Sequence, residues 1–74
     1  MDRTLLEQHL VQAERHIAQS ERHVHRQREL TQHLATKGHD TTQAEYLLKV
    51  FEHTLASRKS DREWIRNELA KSDQ

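Results

Sequence analysis

The chain has 74 residues, twelve of them basic and twelve acidic, with 32% hydrophobic and 4% aromatic side chains. A domain this small buries only about 60% of its unfolded surface, and so little apolar material is poor stock for a self-sufficient globule, so burial is expected to need a second chain. Zero net charge removes the bulk electrostatic case for nucleic acid or an anionic membrane, and the lack of cysteine excludes disulfides, thiolate metal sites and thiol chemistry.

The opening MDRTLLEQHL holds no apolar stretch of signal length. No run approaches the ~20 apolar residues of a membrane span, so a cytoplasmic protein is expected. Residues 7–27 then repeat one seven-letter phrase three times, EQHLVQA, ERHIAQS and ERHVHRQ. Each copy has Glu, then Gln or Arg, then His, then an aliphatic residue, so one stripe of a long helix is specified every two turns. The 3-4 spacing runs through Leu6, Leu10, Ala13, Ile17, Ser20, Val24, Gln27, Thr31 and Leu34. It predicts a helix over residues 3–37.

The single glycine marks the turn, at residues 38–40. Lys37 and Gly38 read as a helix stop, with Gly38 free to adopt positive φ. Asp40-Thr41-Thr42-Gln43 reads as a start, in which Asp40 accepts from first-turn amides and Gln43 reaches back as in a capping box. A second helix follows over residues 41–71, with a seam of Ala44, Leu48, Phe51, Leu55, Arg58, Arg62, Ile65 and Leu69. A connection this short makes the helices antiparallel neighbours, each rod roughly 45–50 Å long.

Folding the hairpin about Gly38 and His39 brings Val24 toward Leu55, Ala13 toward Ile65 and Leu10 toward Leu69. On one flank it opposes Glu14 to Arg66, Glu21 to Lys59 and Arg28 to Glu52. On the other it sets His9 against Glu68, His16 against Asp61 and Leu30 against Leu47, with Glu7 against Asp73 the one mismatch. Flanking charges of this kind select register in coiled coils. The expected interface is Leu10, Ile17, Val24, Leu34, Leu48, Phe51, Leu55, Ile65 and Leu69. Ser20, Gln27, Arg58 and Arg62 make its middle polar. Arginine stems can cover such a seam while their heads reach water, or a buried polar layer can fix register at some cost in stability.

Off the seam, Tyr46, Val50 and Trp64 project from the outer side of the second helix, and Leu5, Val11 and Ala18 from the back of the first. Tyr46, Val50 and Trp64 form a second contact surface for a dimer or another partner. Seven histidines invite a metal reading, but no two are four apart and Glu-x-x-His does not occur. A metal-binding bundle would have to join helices, through His9 with Glu68 or His16 with Asp61. No glycine-rich phosphate loop or serine beside a base is present, so no enzyme and no cofactor are expected. Arg22, Arg26 and Arg28 form a local basic patch, which makes an RNA- or DNA-binding hairpin dimer the competing class. Glu14, Glu21, Glu29, Asp61 and Glu63 dilute its field.

RHIAQSERHV in residues 15–24 and GHDTTQAEYLLKVFEHTL in residues 38–55 resemble short helical-hairpin proteins of alphaproteobacteria that carry a GHDT turn. The likeness covers most of the chain and implies a cytoplasmic bacterial protein; that group brings no activity, cofactor or catalytic residue with it. The expectation is therefore an all-α antiparallel two-helix hairpin, coiled-coil-like, spanning residues 1–74 as one unit and dimerising into a four-helix bundle. Its expected role is that of a small assembly or adaptor protein.

Overall fold

A computed structural model describes residues 2–72. It contains two helices, α1 (Arg3–Thr36) and α2 (Thr42–Ser72), packed side by side as an antiparallel hairpin. Asp2 caps α1: its backbone is extended and its carboxylate accepts from the Thr4 amide at 3.4 Å. Lys37 and Thr41, expected as the innermost helical residues, stand one residue outside the helices.

The turn is built from backbone bonds that satisfy the carbonyls at the end of α1. The His39 amide donates to Leu34 O and the Gly38 amide to Ala35 O, both at 3.0 Å, which is the Schellman pattern. It needs a left-handed residue at Gly38, whose φ is +76°. On the far side Asp40 Oδ1 accepts from the Thr42 hydroxyl at 2.7 Å and the Thr42 amide at 3.0 Å. Thr41 O accepts from the Glu45 amide at 2.8 Å, opening α2. The bonds from the Thr42 hydroxyl and amide hold the Asp40 carboxyl below its ordinary value, because both favour the carboxylate. Gln43 makes no bond back across the turn; Asp40 caps without it.

Each 3-4 stripe faces the other helix. On α1 Leu6, Ala13, Ile17, Ser20, Val24 and Gln27 are buried, with Leu10, Thr31 and Leu34 half-buried. On α2 only Ala44 and Ile65 are buried; Leu48, Phe51, Leu55, Arg58, Arg62 and Leu69 are all half-buried. Leu6, Ala13 and Ile65, flanked by Leu10 and Leu69, make the apolar cluster at the open end.

The molecule is a rod of 57 × 14 × 13 Å that exposes 5748 Å². A compact monomer of its 8.9 kDa would expose about 4,800 Å². The hairpin thus leaves about 900 Å² more surface in water than its mass requires.

Two outcomes test the turn. A Cβ at residue 38 would meet nothing within 4 Å, so Gly38→Ala should cost only the left-handed strain of an L-residue, about 1–2 kcal/mol in urea denaturation. A neutral result would show that the turn relaxes out of positive φ. Because the folded Asp40 carboxyl sits low, its contribution is present above the unfolded value of about 3.9 and disappears as pH falls through the folded value. The stability advantage of wild type over Asp40→Asn should accordingly shrink as pH drops below about 4; a constant gap would mean the Thr42 bonds do not discriminate the ionised form.

Candidate interaction surface

A hairpin has two broad faces, and the heptad distributes different chemistry to each. One flank carries a charge at every repeat, from Glu7 through Glu14 and Glu21 to Arg28 on α1, and from Glu45 through Glu52 and Lys59 to Arg66 on α2. The other flank reads His9, His16, His23, Leu30 on α1 and Leu47, Thr54, Asp61, Glu68 on α2. Leu5, Val50 and Trp64 lie beside this second flank at neighbouring helical positions. Of the large apolar residues exposed among the described ones, Leu5, Leu30, Leu47, Val50 and Trp64 share this histidine face, whereas Val11 and Tyr46 do not.

Toward the open end the histidine face is concave. An open groove of about 410 Å³ has Ala13 and Ile65 in its floor, His9, Gln12 and His16 along one wall, and Arg58, Asp61 and Trp64 along the other. Nearer the loop, the His23 ring lies over Phe51 with centroids 5.6 Å apart and planes tilted by 54°. Phe51 is thereby half-covered on its own chain. Neither the groove nor this ring pair is written in the heptad alone, although the run of histidines at one flank position marks where both would lie.

Of the opposite-charge pairs expected across the seam, only Arg28 and Glu52 meet, at 3.9 Å and with both side chains about half exposed. Among the described residues, Arg66 turns instead to Glu63 at 3.3 Å and Glu68 to Lys71 at 3.4 Å, while Arg3 holds Glu7 at 3.0 Å and also donates across the hairpin to Ser72 Oγ at 3.1 Å. Glu14, Glu21, His9 and His16 form no ion pair with their opposite numbers. For Arg66 and Glu68 the reason is reach: residues three or four apart on one helix are ~5–6 Å apart at Cβ, closer than flank positions across a pair of helices 8–10 Å apart. Glu7 against Asp73 lies outside the described residues. Leu30 and Leu47 are both exposed.

The polar middle divides in two. Ser20 and Gln27 are buried, and the Gln27 carboxamide donates from Nε2 to Ala44 O at 3.1 Å, tying α1 to the first turn of α2. Arg58 and Arg62 are half-buried, with stems along the seam. Arg62 Nε is buried with no hydrogen-bond partner, and Glu63 Oε1 at 3.6 Å is near enough for attraction but too far for a bond.

The remaining expected sites are dispersed. Tyr46 is 68% exposed on the back of α2, while Val50 and Trp64, the latter 54% exposed, belong to the histidine face. Arg22 and Arg26 flank a shallow depression with Glu21, His25 and Glu29, in which His25 pairs with Glu29 at 2.9 Å. Arg28, on the same flank as Glu21, turns toward Glu52 of α2 and does not line the depression. No three His, Asp or Glu side chains among the described residues are grouped as a metal ion would require. No described helix is long and apolar enough to cross a membrane. Compared with family models, curated proteins and solved structures, the chain matches none of them.

Gln27 gives a direct test of the polar layer. Ala44 O keeps its helical bond when the carboxamide is removed, so Gln27→Leu leaves no orphaned acceptor and replaces one neutral hydrogen bond by apolar burial. Its stability should stay within about 1 kcal/mol of wild type, while Gln27→Ala, which also opens space, should lose roughly 1–3 kcal/mol. A large loss for the leucine variant would make the bond a major source of stability and not a specifier of register.

Proposed function

We propose that the chain is a non-enzymatic assembly or adaptor protein of the bacterial cytoplasm. It acts through self-association and protein contacts, most simply as a homodimeric four-helix bundle. The observation that carries this reading is the incomplete cover of α2. Leu48, Phe51, Leu55 and Leu69, the apolar residues that should form half the core, are each only half-buried against α1. A second layer of helices would complete their burial, and burial of a Leu or Phe side chain is worth ~1.5–3 kcal/mol. A surface of mixed charge on one side and, on the other, apolar and neutral polar groups around Arg58, Asp61 and Glu68 suits contact with protein. The basic residues serve nucleic acid less well, since Glu21, Glu29 and Glu52 accompany Arg22, Arg26 and Arg28.

Sedimentation and thermal unfolding over a hundredfold range of concentration test the reading. If folding is coupled to dimerisation, the melting midpoint should climb by about 5–10 °C across that range. Phe51→Ala should lower the midpoint at every concentration, at a cost approaching ~3–5 kcal/mol if the ring is fully covered in the assembly and less if it is not. A monomer with a concentration-independent midpoint would refute self-association.

A further inference from the structure

We infer that the surface joined in the assembly is the histidine face, and that its occupant is a second copy of this chain lying with its loop at the same end. This rests on the self-association proposed above and adds the face and the orientation. The area fits: the surplus of about 900 Å² is close to the ~800 Å² that each partner contributes to a stable interface. So does the composition, since the exposed apolar residues Leu5, Leu30, Leu47, Val50 and Trp64 gather there. The opposite face is charged at each flank position from Glu7 to Arg28 and from Glu45 to Arg66, and would cost far more to desolvate.

Charge complementarity then chooses between the two symmetric ways of laying one hairpin on another. With the two-fold axis along the rod, α1 of each copy rests on α2 of the other at equal height. His16 meets the second copy's Asp61, His9 meets its Glu68, and Leu30 meets its Leu47. His9, His16 and Asp61, which form no ion pair within one chain, gain partners across the interface, Glu68 adds His9 to the Lys71 it already holds at 3.4 Å, and leucine lies on leucine. With the axis across the rod at the middle of Arg3–Thr36, His16 falls against the second copy's His23 and, at the height of Leu30, Leu47 falls against its Glu68. That arrangement matches like with like and apolar with charged.

Three measurements on the full chain decide the matter. Trp64 is the sole tryptophan and stands on the wall of the groove, 54% exposed. Its emission should shift to the red on dilution in step with the loss of dimer seen by sedimentation. Leu47 and Val11 are exposed to similar degrees, 44% and 49%. Leu47→Lys should nevertheless weaken dimerisation about a hundredfold, and Val11→Lys, on the other face, less than about threefold. The chain has no native cysteine, so a spin label on His39→Cys reports loop position. Loops together should give a distance under about 25 Å, the width of a four-helix bundle with axes 8–10 Å apart. Loops opposed would give a distance near the 57 Å length of the rod. A stable dimer with unshifted Trp64 emission and equal effects of the two lysines would refute the face while leaving self-association intact. A dimer with the long distance would refute the orientation.

Discussion

Two helices share one seam, and an interior one side chain thick is the constraint on which everything else in this molecule depends. Only residues on the two facing 3-4 stripes can leave water. Where the stripe is apolar and closely matched, as at Leu6, Ala13 and Ile65, a small dry cluster forms. Where it carries Ser20, Gln27, Arg58 and Arg62, polar groups must be accommodated within the same single layer. They are handled by a hydrogen bond to the neighbouring backbone for Gln27 and by stems that leave the seam sideways for the arginines. The unpartnered Nε of Arg62 shows what so thin a layer costs: its guanidinium reaches the edge of the hairpin without a carboxylate in bonding range.

The turn determines which residues meet along that seam. The two bonds at the end of α1 require Gly38 at positive φ, and Asp40 closes the start of α2 through Thr42. Between these two caps the chain has no freedom to slide. The Gln27 bond to Ala44 fastens the helices again a few residues further on, inside the seam. Register is thus held near the loop by hydrogen bonds of fixed geometry and at the open end by the apolar cluster, with surface ion pairs contributing little, as exposed pairs usually do.

The helical hairpin and its seam were legible in the sequence because burial in a two-helix unit follows one periodicity, and the heptad states it without interruption from Leu6 to Leu34 and from Ala44 to Leu69. The loop was legible because one glycine stands in a chain without proline. Of the cross-helix ion pairs, Arg28 with Glu52 was legible; those of Arg66 and Glu68 were not, since each has an opposite charge on its own helix within easier reach. The Gln27 contact was hidden for a different reason: a glutamine at a core position announces that a partner is needed but not which backbone carbonyl supplies it. Unequal burial of the two stripes was also hidden, because a periodic pattern marks which side faces inward and does not measure how much lies opposite.

That inequality gives the histidine face its character. A hairpin that remained alone would be best served by charge on both broad faces, which is what the flank from Glu7 to Arg66 supplies on one of them. On the other, imidazole, carboxamide and hydroxyl groups are interspersed with leucine, valine and tryptophan. Such groups keep a surface wet enough to remain dispersed, yet cost much less to desolvate than ammonium or carboxylate groups when a complementary surface arrives. Asp61 and Glu68, the acidic exceptions, stand at the height of His16 and His9, so any partner that repeats this pattern in reverse order finds a counter-group for each. A second copy of the same rod repeats it. The chemistry of this face is therefore intermediate between that of a core and that of a fully solvated surface.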